Sequence, residues 1–190
     1  LKELIDSLQS ISGIRITLNE PMSVHTTYGL GGPADIFLEI DTIEGLVESI
    51  SILGQIGVGW FLLGDGANLL VSDLGIRGVV LHLGEEFENI DSSDYILTCG
   101  SAARISKVAD YAAERAMSGL EGVGTVPGSV GGAVVMNAGT HRGYISDVIK
   151  YVQAIDAAGN LVNLCKDECG FSYRNSRFQK ETEFILTRIV

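Results

Sequence analysis

Gly119-Leu-Glu-Gly-Val-Gly-Thr-Val-Pro-Gly-Ser-Val-Gly-Gly-Ala-Val-Val-Met-Asn-Ala-Gly139 is the stretch around which the chain is organised; it holds seven glycines, one proline and a single charged residue. Its apolar residues are too interrupted for an ordinary strand and too rich in glycine for an ordinary helix. Glycine costs backbone entropy, so this density implies that something approaches the main chain closely or that several residues take positive φ. The spacing points to a large, flat, partly anionic ligand. Thr125, Ser129 and Asn137 supply side-chain hydrogen bonds, and bare N–H groups around Pro127–Gly132 line a dipolar surface. Read alone, the stretch also fits a tightly packed loop with no ligand; long ordered loops are usually functional.

Outward from it, 190 residues suit one large domain or two small ones. The formal net charge of −11 argues against a general binder of nucleic acid or anionic membrane, which needs a basic face. An anionic ligand must then be held by backbone dipoles and one or two placed arginines. No apolar run reaches membrane-spanning length. The acidic, helically spaced start is not a secretion signal, and without an initiator Met residues are expected before Leu1. Cys99, Cys165 and Cys169 form no framework, which suggests free thiols in a reducing compartment. No metal site is expected, because His25, His82 and His141 lack supporting spacing.

In chain order, an amphipathic helix is expected over 1–11, then a break at Glu20-Pro21-Met22 and a glycine turn from His25 to Asp35. Strands are expected over 35–40, 60–63, 78–83, 95–99, 148–156, 161–164 and 183–190. Helices are expected from Asp41 or Thr42 to about Gly57 and over 104–117, with a single turn at 166–171. This mixture is α+β, with a weak boundary near Ser72–Gly78. The last strand runs to Val190, so the chain is expected to be part of something longer.

Leu63-Gly-Asp-Gly-Ala-Asn-Leu-Leu70 follows a strand, which invites a Rossmann reading. That motif wants a glycine at position 69 and a helix after it; Leu69-Leu70-Val71 supplies neither. A turn of successive N–H groups cradles a diphosphate without a helix, and Asn68 adds a donor. Asp65 is expected to face away and bond the loop itself or a ribose hydroxyl.

Four stretches, Thr27–Asp35, Leu63–Leu70, Gly124–Gly139 and Tyr173-Arg174-Asn175-Ser176, together resemble UDP-N-acetylenolpyruvoylglucosamine reductase, a flavoenzyme family of peptidoglycan precursor synthesis. The Thr-Val-Pro-Gly-Ser-Val-Gly-Gly and Tyr-Arg-x-Ser segments are the specific ones. The resemblance implies a fold of the vanillyl-alcohol-oxidase (PCMH) type, with FAD-binding subdomains at 1–76 and 77–190 and a third, substrate-binding domain absent from the chain. It implies noncovalent FAD, NADPH as electron donor and a cytoplasmic setting. The implied cofactor contacts are Tyr28, Leu63, Gly64, Asp65, Gly66, Ala67, Asn68, Leu69, Leu70, Thr125, Pro127, Gly128, Ser129, Gly131, Gly132, Ala133, Asn137, Ala138 and Gly139. Tyr173 and Arg174 are the implied substrate contacts.

Hydride addition to the enol ether of UDP-N-acetylglucosamine enolpyruvate builds negative charge on the neighbouring carboxylate. A planar, permanently charged guanidinium stabilises that charge most in the transition state, and Arg174 matches the family's arginine. The family's proton-donating serine, in a Gly-Ser-Phe-Phe-like segment, and its later glutamate have no counterpart here. Three alternatives stand beside this reading: an oxidase of the same flavin fold, a non-catalytic FAD module, and, for Arg174 alone, a surface ion pair. No histidine lies within 64–70, which disfavours covalent attachment of the flavin.

Overall fold

The computed structural model describes residues 2–190, so the expectation for Leu1 lies outside the described residues. The chain divides into two compact units between Glu86 and Phe87. The expected boundary at 76/77 falls inside a strand that pairs on both its edges, so that strand belongs wholly to the first unit.

The first unit runs α1 (Lys2–Gln9), β1 (Ile14–Pro21), β2 (Pro33–Ile40), α2 (Ile43–Ile56), β3 (Trp60–Leu63) and β4 (Ile76–Leu83). Its sheet has the order β1-β2-β4-β3. β1 is antiparallel to β2, whereas β2, β4 and β3 are parallel. Thr42 starts α2 by accepting the Gly45 N–H at 3.1 Å, and Gly57 ends it in the left-handed region. β1 is absent from the sequence-based expectations, although Ile14, Ile16 and Leu18 alternate with Arg15 and Thr17; it is largely exposed, and Pro21 masks its end. Ile36, Leu38 and Ile40 are buried on one face of β2. Phe37, on the other face, joins Met22, Ala34, Leu63, Val71 and Val80 in a second small core. That core lies directly beneath the loop that follows β3.

The second unit holds β5 (Ile90–Ser93), β6 (Ile96–Gly100), α3 (Ile105–Glu114), α4 (Val130–Val135), the two-residue strands β7 (Gly139–Thr140) and β8 (Gly143–Tyr144), β9 (Tyr151–Ile155), β10 (Leu161–Cys165) and β11 (Ile185–Ile189). Its antiparallel sheet has the order β10-β9-β11-β6-β5. Val152, Ala154, Leu186 and Ile189 from this sheet pack with Ile105 and Val108 of α3 and Val130 and Val134 of α4. β5 is also absent from the expectations: Ile-Asp-Ser-Ser is too short and polar to signal a strand, and only pairing with β6 makes it one.

All three cysteines are free thiols. Burial pushes the Cys99 thiol up to about 12. Burial, followed by the neighbouring Cys165, pushes Cys169 up to about 11. The thiolate is the nucleophile, so at pH 8 an alkylating reagent should modify exposed Cys165 first and reach Cys99 and Cys169 only on unfolding. Mass spectrometry of a timed alkylation checks the order.

Candidate functional site

Each unit carries candidate ligand-binding segments of its own. In the first, β3 delivers the chain at buried Leu63 into a loop from Gly64 to Leu70. Gly66 is buried with φ +62, and a side chain there would drive its Cβ into the His25 carbonyl oxygen and within 2.8 Å of the Thr26 Cα. Thr27 N–H donates to the Gly66 carbonyl at 3.2 Å. The Thr26 hydroxyl closes its own turn, donating to the Leu30 carbonyl at 2.8 Å and accepting the Leu30 N–H at 3.3 Å. Gly32 N–H donates to the Ser72 carbonyl at 2.9 Å. The two glycine turns, far apart in sequence, thus brace one another.

The N–H groups of Gly66, Ala67, Asn68 and Leu69 find no acceptor among the described residues. Successive N–H groups around a left-handed residue form a concavity suited to an anion, so this loop fits a diphosphate. Gly64, Asn68 and Leu70 are exposed, Asp65, Ala67 and Leu69 half-buried, and Tyr28 stands exposed on the bracing turn. The bareness of Gly66 serves the approach of backbone to backbone, which in the sequence alone reads as room for a ligand.

In the second unit the glycine-rich stretch is a sequence of turns leading into α4, capped by the Ser129 hydroxyl, which accepts the Gly132 N–H at 3.3 Å. Gly131 N–H donates to the Ser101 carbonyl at 2.8 Å, and a Cβ at Gly131 would lie 2.9 Å from that same oxygen. Val130 N–H donates to the Ala103 carbonyl at 2.8 Å. Most of the N–H groups expected to be bare over 127–132 are therefore used inside the fold, because the segment folds back on Ser101–Ala103. Ser129 opposes Arg104 in an isolated bridge whose bonds run through its neighbours, so the Ser129 N–H points away from that strand. The Gly128 and Ser129 N–H groups have no acceptor among the described residues. Thr125, Pro127 and Gly132 are exposed, whereas Ala133, Ala138 and Gly139 are buried.

Asn137, buried and at φ 41, donates its amide to the Ser172 carbonyl at 2.8 Å and accepts the Ser146 N–H at 3.3 Å. The sequence reading gives this amide to the ligand; its partners instead dock the Tyr-Arg-Asn-Ser turn onto the end of α4. Ser172 and Asn175 close that turn by exchanging backbone bonds of 3.0 and 3.1 Å, with Arg174 in the left-handed region at φ 52. Ser176 is fully buried and donates to the Val135 carbonyl at 2.7 Å. Gln179 donates to the carbonyls of Arg174 and Val135 at 3.0 and 3.1 Å. The result is a rigid turn presenting two exposed side chains. The Arg174 guanidinium carbon lies 5.9 Å from the Tyr173 ring centroid, and Tyr173 meets Tyr144 edge-on at 6.4 Å. Among the described residues Arg174 makes no ion pair.

Asn137→Ala should cost about 2 kcal/mol, since it strands the buried Ser146 N–H and removes a bond to the Ser172 carbonyl. It should also speed tryptic cleavage after Arg174, because the turn loses its anchor. Urea melts and timed proteolysis of the folded protein check both effects.

The sequence marks the turn from His25 to Asp35, but not the bracing of Gly66 by the backbone of His25, Thr26 and Thr27. No candidate metal cluster occurs among the described residues, and no described helix is long and apolar enough to cross a membrane.

A family model described as "FAD binding domain" matches residues 34–164. The chain is 36% identical to UDP-N-acetylenolpyruvoylglucosamine reductase of Halalkalibacterium halodurans, covering 99% of the chain and 64% of that relative. The crystal structure of UDP-N-acetylenolpyruvylglucosamine reductase from Thermus caldophilus superposes with a TM-score of 0.77 at 33% identity, covering 93% of this chain and 60% of that one. p-Cresol methylhydroxylase matches at TM-score 0.68 and 12% identity, over 99% of the chain and 42% of the other, which shows the shared α+β fold alone. The chain thus spans less than two thirds of the reductases that it matches. Match and fold agree: the chain belongs to the FAD binding domain family, and over nearly all of its length it is similar to UDP-N-acetylenolpyruvoylglucosamine reductases.

Proposed function

We propose that this chain holds the FAD of an enzyme that uses NADPH to reduce UDP-N-acetylglucosamine enolpyruvate to UDP-N-acetylmuramate in the cytoplasm. The observation that carries the reading is the run of unfilled N–H groups at Gly66–Leu69. The second unit adds a tight turn that presents an arginine with no ion pair among the described residues. Noncovalent FAD supplies a carrier for the hydride that leaves NADPH and ends on the enol ether. The 64–70 loop takes the diphosphate, with Asn68 as an added donor. Residues 125–139 lie along the cofactor, with Gly128 and Ser129 N–H groups as donors. Arg174 receives the enolpyruvyl carboxylate and steadies the charge that grows on it as hydride adds, while Tyr173 fixes where the guanidinium sits.

Hydride addition must be matched by a proton at the neighbouring carbon. Ser176 already donates to a carbonyl and Ser129 caps a helix, so neither is placed as the acid. The acid belongs to the part of the longer reductases that this chain does not span. An oxidase that attaches flavin through histidine finds no support, since the His25 ring already engages Glu20 and Phe37.

The test is anaerobic. The FAD-loaded chain is reduced chemically and mixed with UDP-N-acetylglucosamine enolpyruvate. The flavin should stay reduced until oxygen is admitted, and no UDP-N-acetylmuramate should form. Product at a rate near that of a complete reductase would place the acid within this chain. Failure of the wild type to take up FAD at all would reject the proposal.

A further inference from the structure

Two histidines lie beneath the 64–70 loop, and the reaction proposed above uses neither. His25 Nε2–H donates to the Glu20 carboxylate at 2.9 Å, a tautomer set by an acceptor that only accepts. The same ring stacks on buried Phe37, with centroids 4.2 Å apart and planes 22° off parallel. His82 also packs against Phe37, with centroids 5.7 Å apart, and its ring lies 6.3 Å from that of His25, tilted by 51°; its Nδ1–H donates to the Leu63 carbonyl at 3.2 Å. Leu63 is the residue that enters the loop. At the far side of the turn, the His25 carbonyl occupies the space that a Gly66 side chain would need, and Thr27 N–H holds the Gly66 carbonyl. Glu39 also faces the two imidazoles, and its hydrogen bond from Arg15 keeps its carboxyl below the usual carboxylate range.

We propose that His25 is a positioning residue for the diphosphate cradle: held by Glu20 and Phe37, it fixes the backbone wall against which Gly66 takes its left-handed turn. This rests on the reading that the 64–70 loop receives the FAD diphosphate. The ring itself touches no ligand. Its side-chain contacts fix the 25–27 backbone, that backbone fixes Gly66, and Gly66 aims the N–H groups of residues 66–69. His82 pins the loop's entry through Leu63, so the cradle is held at both ends from one cluster of three rings. A preorganised cradle binds more tightly than one that must be ordered by its ligand.

The experiment measures FAD affinity and the ³¹P spectrum of the FAD-saturated protein for wild type, His25→Ala and Glu20→Gln. Loss of the charge-assisted bond should weaken FAD by about tenfold or more in both variants. The two bound diphosphate resonances should also shift, because the donors facing them have moved. Glu20→Gln keeps the ring and the stack, so it carries the test if His25→Ala does not fold. Unchanged affinity in the folded variant, or weaker binding with unshifted ³¹P resonances, would overturn the assignment. A wild type that binds no FAD would reject the underlying reading instead, a result distinct from either.

Discussion

Gly66→Val should lower the stability of the ligand-free protein by roughly 2–5 kcal/mol and abolish FAD binding. Two costs combine. A β-branched residue at φ +62 is strained by its own backbone. Its Cβ would also enter the His25 carbonyl oxygen, which is main chain and cannot rotate away. The loop must then swing off the His25–Thr27 turn, taking the N–H groups of residues 66–69 with it. Gly54→Ala is the matched control: its Cβ meets open space within α2, so it should be neutral or slightly stabilising. Denaturant melts without flavin separate this view from one in which the glycine serves only the phosphate. In that case the variant would be as stable as wild type and lose FAD affinity alone.

Arg174→Ala, made in the complete reductase, should leave FAD binding and flavin reduction by NADPH intact. Reoxidation by the enolpyruvyl sugar nucleotide should slow by about 10²–10³-fold, as when one charge-stabilising donor is lost. The turn itself should survive, because its anchors are the Asn137 amide, the Ser176 hydroxyl and Gln179, and none involves the guanidinium. Alanine at φ 52 costs about as much as arginine there, so the comparison is clean in backbone terms. Stopped-flow measurement of the two half-reactions checks it. Equal slowing of both would mean that the flavin environment had been damaged. Arg174→Lys should recover only part of the rate, since an ammonium cannot hold both carboxylate oxygens in one plane.

Much of this is legible in the sequence because local signals and global fold agree. Thr42 and Gly57 bracket α2 where capping chemistry puts them, and Trp60–Leu63 reads as a strand because its apolar run is one. Of the elements that escape, β1 depends on β2 and β5 on β6, while α4 forms at Val130–Val135 inside a stretch that reads as too glycine-rich for a helix, because Ser129 caps it and the core of the second unit packs on it. The site is legible in its location and less so in its wiring. Glycine density at 64–66 and 119–139 marks places where main chain meets something. Sequence cannot tell a ligand from another strand, and at Gly66 and Gly131 the neighbour is His25 and Ser101. Ser129 and Asn137 read as donors to a ligand for a related reason: a polar side chain in a glycine loop looks free until the fold brings it Gly132, Ser146 or Ser172. Arg174 goes the other way: an arginine in an acidic chain invites an ion-pair reading, and at the tip of its tight turn it makes no ion pair among the described residues.

The most direct measurement is the flavin content of this 190-residue chain. Purified protein is saturated with FAD, freed of excess by gel filtration and denatured in acid, and the supernatant is read for released flavin against protein concentration. One FAD per chain, fully released, is the expected result. A chain that carries no flavin after saturation, or flavin that stays with the precipitated protein, would contradict it.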